Sequence, residues 1–550
     1  MFKQLGSWLA LHPRLTLTVL VIAALGPFLA KPFNIDDPLF IWLAQHVQHH
    51  PANPFGFDVN WYGKVTPMWT VTENPPVAGY YYALFGSLLD WSEVSMHLAG
   101  LVAALAVVLG THRLAQSLCK SPLFAACVVL ATPVFLVSAN TVMCDVLMLA
   151  FWVWAVVFWV DGLKDDRGWK LALAGGFVAL AMLTKYFGAA LIPLLAVHGV
   201  LQKRKVGTWT TGLLVPLVAL GAYQWFTHAL YGRALFSDAA SFVANAHGKL
   251  GFSKLDGFLI ALSFTGGCIA TATFLAPWLW RPRSLVLVFV ASALIGAGLV
   301  YSCGILQKYS ALDASVRVAV TIQFAFWIAA GTVVLALLAD AWNARKDPQA
   351  CLLGLWLAGT FLFAAFGNWT VNGRTILPVV PAVAILLARR WENLGRPGPT
   401  AVKLALAVSG AFAFIVAQAD FELALAGRQC AENVITKYGQ GGGTVWFEGH
   451  WGFQYYMEKA GARPVDYDNF TPASSDILIL PLHNTYTSEP PANTVTSREV
   501  LSVPVSAGVT TWQPELGAGF YSSVSGPLPF GFGRVPAESL YIYKLKHTGE

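Results

Sequence analysis

Apolar runs long enough to cross a bilayer alternate with short polar breaks from Leu15 to Gln418, and beyond that point the rhythm stops. A hydrocarbon core of about 30 Å takes about 20 helical residues. On that measure spans are predicted near 15–31, 93–112, 121–139, 142–161, 171–185, 187–201, 209–228, 257–280, 285–303, 316–339, 349–366, 375–391 and 401–418, about thirteen in all. Lys3 and Arg14 ahead of the first run give it the form of a signal peptide, but the many spans behind it make it an uncleaved first span. After 418 the chain turns to Gly, Pro, Ser, Thr and aromatics with short apolar stretches. There Thr444–Glu448 and Asp476–Leu480 read as strands, with a helix at Gly452–Ala460 between them. The predicted architecture is a polytopic α-helical membrane domain over 1–418 and a small extracytoplasmic α/β or mixed domain over 419–550; the membrane domain has a long first outer loop at 32–91, whose stretch Leu39–His49 is amphipathic enough for a helix on the membrane surface, and further outer loops at 231–256, 306–316 and 367–375.

Composition agrees: 56% of the 550 residues are hydrophobic and 12% charged, against about 25% charged in ordinary soluble domains. The net charge of +6 does not mark a nucleic-acid partner, because the basic residues sit in short clusters between spans. With the N-terminus in the cytoplasm, Arg113 and Lys120, then Lys164, Arg167 and Lys170, then Lys203, Arg204 and Lys205 all fall inside. Arg281, Arg283, Arg345, Lys346, Arg389, Arg390 and Arg396 do the same. An odd number of spans then places the soluble tail outside, in the periplasm if the membrane is a bacterial inner membrane. The seven cysteines show no CxxC spacing, which supports neither a disulfide framework nor a zinc site.

The outer side holds the residues with chemistry. Asp36 and Asp37 directly follow the first span; adjacent carboxylates at a water–lipid boundary hold a divalent cation, serve as a general base on an acceptor hydroxyl, or simply end a helix in solvent. Thr72-Glu73-Asn74-Pro75-Pro76 lies later in the same loop, where the prolines fix Glu73 and Asn74 in extended backbone. Asp145 falls near the outer end of the fourth span, and an ionisable group there faces a polar cavity or a partner. Lys185, at a tight outer turn, can neutralise a lipid phosphate or snorkel to headgroups. Arg374 offers a planar fork suited to phosphate. Outer-side cations run against the orientation rule, so Lys185 and Arg374 call for an anionic ligand. In the tail, Trp446-Phe447-Glu448-Gly449-His450-Trp451 is dense in aromatics that either form a core or meet a sugar, with His450 the polar candidate.

The order of motifs resembles the GT-C membrane glycosyltransferases, in the branch of the protein O-mannosyltransferases and the lipid A aminoarabinose transferase. Asn34-Ile35-Asp36-Asp37, Glu73-Asn74-Pro75-Pro76, Cys144-Asp145-Val146-Leu147, Leu183-Thr184-Lys185 and Arg374-Thr375-Ile376-Leu377-Pro378 carry it. The resemblance implies an inverting transferase with a polyprenyl-phosphate-linked sugar as donor and a protein, lipid or glycan as acceptor. It implies Asp36 as catalytic carboxylate with Asp37 beside it, Glu73 and Asp145 supporting the acceptor or a metal, and Lys185 and Arg374 facing the donor phosphate. Asp36 and Asp145 are then the candidate ligands of a divalent cation, and Asn74 and His450 candidate sugar contacts. Two positions depart from the family pattern: Asp37 stands where Glu is usual, and Asn74 where Lys or His is common. A transporter or flippase is the rival from another class; no internal repeat supports it, and the charges gather at the outer face instead of the midplane.

Overall fold

The computed structural model describes residues 12–72, 74–249, 253–299 and 313–546. Among them, seven helices are long and apolar enough to cross a membrane alone, nine if each of two bent pairs counts once, and three shorter apolar helices accompany them: Pro13–Phe28, Gly168–Thr184 and Pro282–Ile295. Each of these lies on a predicted span. The remaining predicted span, 375–391, is broken into Gly373–Ile376, a 3₁₀ turn at Leu377–Val379 and Val380–Asn393, where Pro378 and Pro381 remove backbone donors. The predicted outer segment 306–316 and Cys303 lie largely outside the described residues.

The bent pairs show how irregular backbone survives inside a membrane protein. Pro122–Leu130 and Pro133–Ala139 meet at 63°, and Lys254–Cys268 and Ala270–Leu279 at 77°. The first bend strands the Ala131 carbonyl, which accepts hydrogen bonds from the Thr271 and Ser409 hydroxyls, each at 2.9 Å. Lipid offers no such partners, so the hydroxyls of neighbouring spans take their place.

The segment that follows the first span is folded. It contains Asp37–His49, a hairpin of Asp58–Asn60 with Val65–Pro67, and Val77–Leu88. The helix expected at Leu39–His49 is present, yet its Ile41, Leu43, Ala44 and Val47 are buried, so it packs into the protein instead of lying on the membrane surface. The expected outer loop 231–256 contains the helix Leu235–Lys249.

Pro399–Tyr438 is one continuous helix of 40 residues, about 60 Å long and twice what a bilayer needs. The boundary read at 418/419 falls inside it. Hydropathy changes there because charged residues begin at Asp420 and Glu422; the helix itself goes on and carries the terminal domain. That domain has a five-stranded sheet with edge-to-edge order Arg463–Pro464, Val445–Phe447, Ile477–Pro481, Glu538–Leu545, Val495–Val503. The first three strands are parallel and the last two add antiparallel. Helix Trp451–Lys459 supplies the crossover that a parallel pair requires.

This crossover helix is pressed onto the backbone before Asp36. A Cβ at Gly452 would sit 1.9 Å from the Phe33 carbonyl oxygen, and the Tyr456 hydroxyl accepts from the Phe33 N–H at 2.9 Å. Gly452→Ala is therefore expected to lower stability by about 1–3 kcal/mol, as overpacking does, with increased protease cleavage of the terminal domain. Parental protease resistance and melting temperature in Gly452→Ala would show that the contact yields without cost.

Candidate active site

The turn Val142–Asp145, between two spans, is where the separate motifs meet. Asp37 Oδ1 accepts from the Val142 N–H at 2.8 Å and Oδ2 from the Asn34 N–H at 2.8 Å. The Tyr82 hydroxyl donates to the Met143 carbonyl at 3.0 Å, and Lys31 Nζ to the Asn140 carbonyl at 2.9 Å. Arg374 Nη1 lies 3.0 Å from Met143 Sδ and donates to Asp36 Oδ2 at 2.8 Å. The Cys144 thiol points to Asn74 Oδ1 at 3.5 Å. Asp145 opens the helix Asp145–Asp165 and pairs with Lys185 Nζ at 2.5 Å. Asp36, Asp37, Asn74, Asp145, Lys185 and Arg374 thus gather around one turn. Glu73 lies outside the described residues.

The two adjacent carboxylates differ in exposure and in partners. Asp37 is fully buried with both oxygens committed to backbone N–H groups. Burial pushes its carboxyl up to about 7, against the opposing pull of Lys31 and the two donors. It ties Asn34 to the 142–145 turn. The Asp36 side chain is 28% exposed, and its Oδ1 has no hydrogen bond among the described residues. Ile35, just before it, has φ +47, a left-handed conformation that a β-branched residue adopts only under constraint. The constraint is visible: Asn34 is held by Asp37, and Phe33 by Tyr456.

Lys185 and Arg374 each have a carboxylate partner, Asp145 and Asp36. Each cation therefore has a counter-charge within the protein. Asp145 is 1% exposed and its Oδ2 has no partner, so its charge depends on Lys185. Lys185→Met is expected to lower the melting temperature more than Lys185→Met/Asp145→Asn does, because the single change leaves a buried charge uncompensated. Equal losses in both would mean that Asp145 is compensated elsewhere.

As a cation site the donor set does not fit. Among the described residues no three His, Cys, Asp or Glu side chains gather around a point, and Asp36 and Asp145 are each held by a cationic side chain. His450 lies away from the turn. It is 4% exposed, rings of Trp61 and Trp451 lie at 4.7 and 5.0 Å, and Nε2 is 3.2 Å from the Thr485 hydroxyl. Burial pushes its ring down to about 3, so it packs as a neutral side chain.

What the sequence reading missed is the support behind Arg374. Lys31 and Asp420 are buried at 0% and 1% exposure and form an ion pair at 2.5 Å. Asp420 also accepts from the Thr511 hydroxyl at 2.5 Å and from the Tyr521 hydroxyl at 3.0 and 2.9 Å. The Tyr521 ring lies 5.8 Å from the Arg374 guanidinium. Gly373 N–H donates to the Phe520 carbonyl at 2.7 Å, and Val371 N–H to Ser523 Oγ at 3.1 Å, so the terminal domain holds the loop that presents Arg374. A signal existed: a Lys ending the first apolar run and an Asp just past the last one are each costly unless partnered, and each is the partner the other requires.

Residues 73–244 match the family model described as dolichyl-phosphate-mannose-protein mannosyltransferase. No curated protein matches the chain by sequence. Among solved structures, ArnT from Cupriavidus metallidurans bound to undecaprenyl phosphate is similar at 14% identity and a TM-score of 0.44, over 86% of this chain and 93% of that one. The Archaeoglobus fulgidus oligosaccharyltransferase tethered with an acceptor peptide is similar at 13% identity and a TM-score of 0.45, over 84% of this chain and 64% of that one. Arabinofuranosyltransferase AftD from Mycobacteria gives 16% identity and a TM-score of 0.40, over 80% of this chain and 29% of that one. The family match and the motif order agree on a membrane glycosyltransferase.

Proposed function

We propose that the protein is an inverting glycosyltransferase that moves a sugar from a polyprenyl-phosphate-linked donor to an acceptor on the outer face of the membrane. The observation that supports this reading best is the convergence of a partly exposed carboxylate, Asp36, with two cations, Arg374 and Lys185, on one turn at the end of a span. Asp36 Oδ1 takes the proton of an acceptor hydroxyl as that oxygen bonds to the anomeric carbon. The bond from the anomeric carbon to the phosphate oxygen breaks on the opposite face, which inverts the configuration. The polyprenyl phosphate leaves with one more negative charge than the donor diester had. Cations beside it stabilise that charge as it develops, which favours the transition state over the ground state. Arg374 has N–H groups beyond the one given to Asp36, and its buried Nε has no partner.

The bent spans favour a second reading, since transporters use broken helices. Here, however, the freed Ala131 carbonyl is closed by two hydroxyls instead of facing a charged site. The deciding experiment offers purified protein a panel of polyprenyl-phosphate sugars with labelled sugar and membrane extract as acceptor source. Consumption of one donor with label in the acceptor fraction supports the transferase. No consumption, with labelled lipid or solute crossing reconstituted vesicles, would put a transporter in its place.

A further inference from the structure

A cleft between the first interspan segment and the terminal domain is separate from the turn at Val142–Asp145. It has a volume of about 410 Å³ and lies between the helix Asp37–His49, the hairpin of the first outer segment and the crossover helix of the terminal domain. Trp42, Phe57, Gln45, Asp58, Asn60 and Glu458 line it. That volume falls in the range of small-ligand pockets.

Its chemistry is specific in three respects. First, partly exposed Trp42 and Phe57 supply flat apolar surface, which the C–H faces of a sugar ring cover well. Second, the hydrogen-bonding capacity of the lining is largely unused: the Trp42 indole N–H, the Gln45 amide and the Asp58 carboxylate make no hydrogen bond to protein among the described residues. These are planar donors and acceptors of the kind that pair with neighbouring hydroxyls. Third, the fixed charge is negative. Neither Asp58 nor Glu458 is in an ion pair among the described residues; Glu458 accepts only from the Gln454 amide at 2.7 Å. Such a cleft repels a phosphate and accepts a neutral or amino sugar.

The floor is built to keep its shape. Gln454 is 1% exposed, and its amide nitrogen bridges the Asn60 carbonyl at 2.6 Å and Glu458. The Asn60 amide donates to the Val465 carbonyl at 2.9 Å. Thus hairpin and terminal domain meet in the cleft, and neither forms it alone. Trp42 and Gln45 stand on the helix that Asp36 caps, about 8 to 12 Å along its axis from Asp37 at about 1.5 Å per residue.

We infer that this cleft is a binding subsite for a non-acidic sugar residue of the acceptor, which makes the acceptor a glycan or a glycan-bearing molecule. The inference rests on the transferase reading for the word acceptor, while the binding itself does not. An acceptor glycan gripped at Trp42 and reaching back along the helix brings a second sugar's hydroxyl toward Asp36.

The test is saturation-transfer NMR on the full-length protein in micelles, with the methyl glycosides of glucose, galactose, mannose, glucosamine and N-acetylglucosamine as probes. Saturation of at least one probe is expected, retained in Asp36→Asn and weakened about two- to tenfold in Trp42→Ala, as loss of one stacking contact implies. Gln45→Ala, at a partly exposed helix position where folding is not in question, is expected to weaken the same probe. No saturation of any probe, or parental saturation in both variants, overturns the subsite. Because the readout needs no turnover, failure of the transferase reading leaves a positive result standing, and failure of the subsite leaves donor turnover untouched.

Discussion

Asp36→Asn is expected to lower sugar transfer by about 10²–10⁴-fold, the range for loss of a general base, while the protein still inserts and unfolds at nearly the parental temperature. The reason lies in the geometry. Asn keeps an oxygen that can accept from Arg374 Nη1, so the loop holding Arg374 has no cause to move. What it loses is the ability to take a proton at the exposed carboxylate. Asp37→Asn tests the division of labour between the two neighbours. It puts an amide where two backbone N–H groups need two acceptors, so it is expected to lower folded yield first. Labelled-donor turnover normalised to folded protein separates the two variants. Transfer at the parental rate in Asp36→Asn would remove that residue from the chemistry.

The second large effect is expected at Lys31. Its ammonium is fully buried and its partners are Asp420 and the Asn140 carbonyl. Removing one member of such a pair leaves an uncompensated charge, which costs about 3–5 kcal/mol, whereas replacing both by apolar groups is often nearly neutral. Lys31→Met should therefore unfold at markedly lower denaturant, and Lys31→Met/Asp420→Leu should recover part of the loss. Recovery will be incomplete, because the Thr511 and Tyr521 hydroxyls lose Asp420 as acceptor. Denaturant unfolding in micelles, followed by tryptophan fluorescence, measures both. Additive losses would show that the two residues are not coupled. The variant also bears on the site, since Asp420 anchors Tyr521 beneath Arg374.

The terminal domain emerges as part of the machinery. Its Phe520 and Ser523 backbone and side-chain groups hold the loop before Arg374, and its crossover helix fixes the backbone before Asp36. Its Glu458 lines the cleft beside Trp42, and its Gln454 bonds the Asn60 carbonyl there. A domain set apart by composition therefore holds the loop before Arg374 and the backbone before Asp36.

Membrane class, span positions and the short strands at Val445–Phe447 and Ile477–Pro481 are legible along the chain, because hydropathy and alternation are local properties. The chain also sets Asp36, Asp37, Glu73, Asp145, Lys185 and Arg374 at one membrane level, because charges near a membrane are costly enough to stand out. Which partner each side chain meets follows from the packed fold. Asp36 and Asp37 look alike in the chain, yet a helix start turns one toward the site and buries the other under two N–H donors. Lys185 and Arg374 looked unpaired because their carboxylates are 40 and 338 positions away. The buried pair Lys31–Asp420 spans 389 positions, and a hydropathy profile cannot register an ion pair whose halves sit at opposite ends of the membrane domain. Pairing of that kind depends on distance in space, and chain order carries it only after the helices have packed.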